Sequence, residues 1–136
     1  MDYYKLTELV VITENKPGVL HELSKELSSA GINIESLIAY PNGWSAVFRI
    51  ITTDVDSARK KLERLPFVKR IDTSEVIVAR MPDKPGELAK LTDKLRRLNI
   101  DLEVIYILSR DGKTTEVAMK ASDLTADALL RVLGSG

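Results

Sequence analysis

The chain has 136 residues, with 20 basic and 20 acidic side chains, one histidine and no cysteine. The zero formal charge disfavours a nucleic-acid or acidic-membrane surface, and the lack of cysteine excludes disulfides and thiol catalysis. No apolar run reaches the roughly 18 residues of a membrane span and no signal-peptide layout is present, so we expect a cytoplasmic protein. With His21 alone, we expect neither a transition-metal site nor another cofactor. The absence of glutamine and the many Lys, Arg and Glu residues are typical of heat-exposed proteins.

Apolar periodicity in the first half predicts alternating strands and helices. Strands are expected over residues 5–13, 32–40, 44–52 and 67–71, and helices over residues 17–30 and 54–65. The second strand has a pattern irregularity near Ser36, and Pro41-Asn42-Gly43 predicts a tight turn. Asp54 or Thr53 is the expected cap of the second helix. This half therefore has the order βαββαβ.

The second half repeats this order without its last strand. Strands are expected over residues 74–81, 100–109 and 114–121, and helices over residues 85–98 and 123–133. Only Gly134-Ser135-Gly136 follows the last predicted helix. The edge of the strand 74–81 would then be exposed, and three explanations remain open. Residues near Asp2 to Lys5 cover this edge, another chain covers it, or the chain has been cut short.

One short motif occurs twice, about 68 residues apart, as ENKPGVL at 14–20 and as PDKPGEL at 82–88. Each copy joins a predicted strand to a predicted helix, and leucines after both copies fall at matching helical positions. We infer a duplicated fold with one module over residues 1–72 and another over residues 73–136. Because modules of this size bury little apolar surface, we expect them to pack on each other or on a second chain.

Two βαββαβ units with this Pro-Gly loop resemble tandem ACT domains. The stretch TENKPGVL, followed by GINI at 31–34, is similar to the serine-binding ACT domain of 3-phosphoglycerate dehydrogenase. The resemblance implies an α+β fold of two ferredoxin-like modules, each an antiparallel sheet with its helices on one face. It also implies an amino-acid effector rather than a reaction.

In the resembled family, a histidine and an asparagine of the loop hold the effector together with an asparagine at the second strand of a neighbouring domain. Carried over by motif position, the asparagines are Asn15 and Asn33, while Thr13 stands where the family has histidine. The implied ligand-binding positions of the first module are Thr13, Asn15, Pro17, Gly18, Val19, Leu20, Asn33 and Ile34. Those of the second module are Asp83, Pro85, Gly86, Glu87, Leu88, Asp101 and Leu102.

Charge distinguishes the two sets of positions. Amides at a helix start can donate to a carboxylate, and the side chains of Asn15 and Asn33 can both donate and accept. Ionised Asp83 and Asp101 only accept, so they favour an ammonium group and oppose a carboxylate. The first module is thus the better candidate for an amino acid. A purely structural explanation is also open, because Pro-Gly after a strand is a favourable helix start.

We therefore expect a stand-alone regulatory module that binds an amino acid, forms a homodimer or higher homo-oligomer and acts on an enzyme or another regulator. No phosphate loop, HExxH motif or nucleophile with a histidine base is evident, so an enzyme is disfavoured. Phe48 is the one aromatic residue where RNA-binding sheets stack bases, which disfavours RNA. The alternative is a scaffold that oligomerises without any ligand.

Overall fold

The computed structural model describes residues 1–134 as an α+β fold; Ser135 and Gly136, the end of the predicted second module, lie outside the described residues. Its ten elements are β1 (Asp2–Glu14), α1 (Val19–Ser29), β2 (Ile34–Asn42), β3 (Ser45–Thr52), α2 (Val55–Leu62), β4 (Val68–Pro82), α3 (Glu87–Arg97), β5 (Leu102–Arg110), β6 (Thr114–Ala121) and α4 (Ala126–Gly134). Hydrogen bonds join the six strands in the order β2-β3-β1-β4-β6-β5.

The chain forms two compact units that are not simply consecutive. One unit, here called the inner unit, is Thr7–Ser74. The other, the outer unit, combines Met1–Leu6 with the described residues from Glu75 onward. These units differ from the predicted modules 1–72 and 73–136 chiefly in the first six residues. The two strands predicted at 67–71 and 74–81 are wrong as separate elements, because they form the single strand β4.

The inner unit has the strand order β2-β3-β1-β4, with β3 antiparallel to both β1 and β2. The register of β2 shifts between Ile34 and Ser36, which confirms the predicted irregularity. Alternate residues of β3 turn towards the helices and share one core with them. This core includes Ala46, Phe48 and Ile50 of β3, Leu23 and Leu27 of α1, and Ala58 and Leu62 of α2.

The outer unit has the strand order β1-β4-β6-β5, with its β1 segment contributed by the start of the chain. Tyr3 packs against the core of this unit, and the Tyr4 hydroxyl donates to Glu116. Burial and this hydrogen bond raise the pKa of Tyr4 to about 12. Lys5 Nζ lies 3.2 Å from Glu75 and 2.9 Å from Asp127. Of the three explanations for the missing strand, the structure shows the first: the N-terminal residues take its place.

The four helices begin in two different ways. Asp54 accepts from the Ser57 amide at 3.1 Å and Thr125 Oγ1 accepts from the Ala128 amide at 3.1 Å, so side chains cap α2 and α4. The cap predicted at Asp54 is thereby confirmed. In the described chain, no side chain caps α1 or α3, which begin after the left-handed Gly18 and Gly86. No helix among the described residues has both the length and the apolarity needed to cross a membrane.

Candidate functional site

The first Pro-Gly loop presents unpaired groups to solvent. Gly18 has a φ of 90°, and no described atom lies within 4 Å of the point where a Cβ would stand. Asn15 is exposed, and its backbone amide donates to the Trp44 carbonyl at 3.3 Å. Its side-chain amide makes no hydrogen bond with any described residue. Pro17, which is also exposed, lies between Asn15 and Gly18 in the chain. The loop therefore offers an amide side chain and an open helix start.

Two of the predicted first-module residues have their side chains inside the protein. Thr13 is fully buried in β1, and its hydroxyl donates to the Glu14 carbonyl at 2.8 Å. Val19 belongs to the core of the inner unit. Leu20, by contrast, is 40% exposed on the first turn of α1. Thr13 and Val19 support the loop, and Leu20 is the apolar side chain available beside it.

Asn33 and Ile34 lie at a different place in the inner unit. They line a shallow cavity of about 360 Å³ together with Ser24, Ser28, Gly31 and Ile32. The Asn33 backbone pairs with Thr53 in both directions, and its side-chain amide has no hydrogen-bond partner among the described residues. No residue of the first loop lines this cavity. The structure therefore does not bring Asn15 and Asn33 into one cavity within the chain.

The second Pro-Gly loop borders a cavity of about 340 Å³ in the outer unit. Its walls are mostly apolar. Four predicted residues line it, namely Asp83, Pro85, Glu87 and Leu88. Seven further residues, Met81, Pro82, Lys84, Ile107, Arg110, Thr115 and Val117, complete the lining. This loop, which the sequence ranked second, thus borders a cavity, whereas no residue of the first loop lines the cavity beside Asn33.

Asp83 is paired with an arginine that the sequence analysis missed. Arg110, at the end of β5, places Nε 3.2 Å and Nη2 3.1 Å from Asp83 Oδ1. The hydrogen bond from Arg110, assisted by Thr115, lowers the pKa of the Asp83 carboxyl below its ordinary value. The Asp83 amide also donates to the Lys113 carbonyl at 2.9 Å. Asp83 therefore ties the loop to the β5–β6 hairpin.

Glu87 is an acidic residue in a buried position. It is only 6% exposed on the first turn of α3. Its Oε1 atom lies 3.2 Å from Lys90 Nζ and 3.7 Å from Lys84 Nζ. At the matching position of the first module stands the core residue Val19. A carboxylate thus replaces an apolar core side chain at the edge of this cavity.

The remaining predicted residues lie away from the cavity. Asp101 Oδ1 accepts from the Leu102 amide at 3.0 Å, and Leu102 packs against the core of the outer unit. Gly86 has a φ of 92° and provides the left-handed turn before α3. None of the three lines the cavity. The Asp101 side chain thus stabilises the start of β5. Among the described residues, no group of three or more His, Cys, Asp or Glu side chains could hold a metal ion.

Part of the chain matches the model of a known protein family. Residues 7–65 match the family model of the ACT domain. The matched segment forms most of the inner unit.

Similar solved structures extend over nearly the whole chain. Protein BT0572 from Bacteroides thetaiotaomicron is 26% identical, covers 98% of this chain and 89% of its own, and superposes with a TM-score of 0.85. The ligand-free regulatory subunit of aspartate kinase from Thermus thermophilus is 16% identical, with coverages of 95% and 91% and a TM-score of 0.62. Aspartokinase alpha and beta subunits are 19% identical, with coverages of 99% and 96% and a TM-score of 0.62. The last two show a shared fold. No curated protein matches the chain in sequence.

Proposed function

We propose that this chain is a regulatory module that binds an amino-acid effector at its Pro-Gly loops and passes the bound state to its own assembly or to a partner protein. The observation that carries the proposal is the open helix start behind Gly18. Amides at a helix N-terminus donate to anions, and the helix dipole favours negative charge there. The carboxylate of an amino acid fits the start of α1.

The first loop supplies the remaining polar contacts. The unpaired side-chain amide of Asn15 can accept from the ligand's ammonium group or donate to its carboxylate. Asn33 lines a separate cavity, so we propose that it contacts the same ligand from a neighbouring module of another copy. A ligand that contacts both residues binds only one arrangement of the two copies. Its binding energy would thereby shift the assembly equilibrium, which is the physical basis of regulation.

The comparisons support this proposal at the level of fold and family. The ACT-domain match covers the loop with Asn15 and Gly18 as well as Asn33. A regulatory subunit of aspartate kinase shares the fold over almost the same length. Binding and coupling require no chemical step, so the proposed function needs no catalytic residue.

A thermal-shift screen against the twenty amino acids, with the mass in solution recorded for each hit, tests the proposal. Specific binding stabilises the folded state by about 2.7 kcal/mol at a hundredfold excess of ligand over Kd. We expect a selective rise in Tm and a change of mass with the same ligand. A stable oligomer that responds to none of the twenty would instead support the scaffold alternative.

Two substitutions test whether Asn15 and Asn33 contact the ligand. Asn15→Ala and Asn33→Ala should each weaken binding of the hit at least about tenfold, because each removes a proposed hydrogen bond to a charged group. Isothermal titration calorimetry measures the effect. Asn99→Gly is the matched control, since it removes an exposed amide side chain at a φ of 56° without straining the backbone. Wild-type affinity in either alanine variant would remove that residue from the site.

A further inference from the structure

The tip of the β2–β3 hairpin carries a tryptophan that the inner unit does not bury. Trp44 is 93% exposed, far more than any other large apolar side chain described, and it is the one tryptophan of the chain. It takes no part in the core of the inner unit. The corresponding hairpin of the outer unit, over residues 110–114, has no aromatic residue. The fold therefore requires the hairpin but not this side chain.

The backbone of the hairpin tip is well fixed, so the indole ring is presented at a defined place. Asn42 and Ser45 pair across the hairpin and leave Gly43 and Trp44 as its two central residues. Gly43 has a φ of 62° whereas the φ of Trp44 is not positive, which is the pattern of a type II′ turn. The Trp44 carbonyl also accepts from the Asn15 amide at 3.3 Å. A tip held in this way loses little conformational entropy when it binds.

The cavity of the outer unit has the size and the walls to hold one indole ring. Its volume of about 340 Å³ lies near the lower end of the roughly 300–1,000 Å³ usual for small-molecule sites, which suits a single bicyclic ring. Met81, Leu88, Ile107 and Val117 provide apolar walls. Leu88 is 47% and Ile107 55% exposed, so part of this wall faces solvent. An inserted apolar ring would remove both side chains from water.

The charged residues of the lining match the charge distribution of an indole ring. An aromatic ring is negative on its faces, and a buried indole N–H needs a hydrogen-bond acceptor. Arg110 is held by Asp83 through Nε and Nη2, and a planar guanidinium group stacks on aromatic faces. Asp83 and Glu87 supply carboxylates that can accept from the indole N–H. An aliphatic side chain would use neither kind of group.

We propose that the cavity of the outer unit receives Trp44 from a second copy of this chain. Every copy carries both parts, so two copies make the contact reciprocally, each placing its Trp44 in the cavity of the other. The inference does not rest on the proposed effector site, because this association needs no ligand.

The area of this contact sets its strength. A buried tryptophan removes about 150–250 Å² from water, so two reciprocal contacts bury about 600–1,000 Å² when both surfaces are counted. Stable complexes bury roughly 1,200–2,000 Å². We therefore expect a dimer that dissociates on dilution.

Fluorescence of the full-length chain reports on the contact directly, since Trp44 is its one tryptophan. As the protein concentration rises, the emission should move to shorter wavelength and acrylamide should quench it less. Both changes should follow the rise in mass measured by sedimentation equilibrium. A mass that rises while the emission stays constant would place the contact elsewhere and overturn the inference.

Two substitutions remove one side of the contact each. Trp44→Ala should weaken the association at least about 30-fold, the loss typical of a hot-spot residue. Leu88→Arg should have a similar effect, because it places a charge in the apolar wall. Leu98→Arg is the matched control, since Leu98 is a 44% exposed leucine at the other end of α3 that does not line the cavity. This control should associate as the wild-type chain does.

A mixture of the two defective variants makes the test decisive. Leu88→Arg keeps Trp44, whereas Trp44→Ala keeps the cavity and contains no tryptophan. Addition of Trp44→Ala to Leu88→Arg should therefore restore one contact and shift the emission of the remaining tryptophan. The double variant Trp44→Ala/Leu88→Arg should cause no shift. An equal shift with the double variant, or no shift with Trp44→Ala, overturns the inference.

The outcomes also separate this inference from the proposed function. A wild-type chain that stays monomeric at every concentration, or an oligomer unchanged by Trp44→Ala, overturns the inference and leaves effector binding at Asn15 to its own test. Association through Trp44 in a chain that binds none of the twenty amino acids supports the inference and overturns the proposed function.

Discussion

Gly18 combines a left-handed backbone with open space above it. Its φ of 90° is a conformation that residues with a Cβ rarely adopt. Because no described atom lies within 4 Å of the missing Cβ, packing does not require glycine at this position. Glycine at position 18 therefore matters for two features, namely the backbone angle and the access of a ligand to the start of α1.

Replacing Gly18 with alanine should therefore have two separate effects. The left-handed backbone should cost about 1–2 kcal/mol of folding stability, and the new methyl group should weaken ligand binding at the first loop. Urea unfolding and calorimetry measure the two effects. Gly112→Ala is the matched control, because Gly112 has a φ of 87° in open space but lies in the β5–β6 hairpin. Equal loss of binding at the first loop in both variants would show that strain, and not access, is responsible.

Single residues were predictable where their role is local. The cap Asp54 and the glycines after both prolines follow from neighbouring residues, and the structure shows them in those roles. Arg110 was missed because its partner Asp83 lies 27 positions earlier, and no local pattern joins the two. The burial of Glu87 was missed as well, since a charged residue on a first helical turn usually faces solvent.

At the scale of elements, Asp83 links the loop before α3 to the β5–β6 hairpin, next to the end of the β4–β6 ladder at Pro82 and Thr114. Asp83 binds Arg110 through its side chain and Lys113 through its backbone amide. Because the Arg110 guanidinium lowers the pKa of Asp83, this carboxylate stabilises the folded state where it is ionised. The contribution of Asp83 to the attachment of the hairpin should therefore depend on pH.

The sign of this dependence is fixed by the lowered pKa. The Asp83 contribution is fully present above its ordinary value of 3.8 and is lost as the pH falls through the lower value in the folded state. Asp83→Asn should accordingly lower Tm at pH 7 and have progressively less effect below pH 3.8. Thermal unfolding of both proteins from pH 7 to pH 2 checks this. A difference in Tm that persists unchanged at pH 2 would assign the effect to packing.

Most elements were predictable from periodicity, and the strand at β4 shows where this fails. The prediction ended one strand at residue 71 and began the next at residue 74, yet residues 67–81 contain no glycine or proline, and the strand continues through Asp72 and Thr73. A polar pair is compatible with an exposed strand position, whereas Gly or Pro would have ended the ladder. The absence of glycine and proline from residues 67–81 was the feature of the sequence that indicated one continuous strand.

At the scale of the whole molecule, the inner unit is contiguous and interrupts the outer one. Residues 7–74 include segments of β1 and β4 that complete its sheet. The outer unit takes its edge strand from Met1–Leu6. The duplication was predictable from the repeated motif, but the origin of the last strand was not, since several segments could cover the edge.

Fragments of the chain test this connectivity. We expect residues 7–74 to fold alone, and residues 73–136 to fail because the edge of β4 is left unpaired. Residues 1–6 joined through Asn-Gly to residues 75–136 should restore folding, since this turn connects neighbouring antiparallel strands. Circular dichroism and cooperative urea unfolding report the result. Equally cooperative unfolding of the fragment 73–136 would show that the N-terminal segment is dispensable.

The nesting of one unit within the other has a consequence for how the gene can change. A single break after the codon for residue 72 would deprive the outer unit of its strand and leave nearly all of the inner unit intact. Excision of the codons for residues 7–74 would instead join two segments that already belong to one unit. Recombination can therefore delete the inner unit in one event, whereas removal of every residue of the outer unit needs two deletions, one on each side of the codons for residues 7–74.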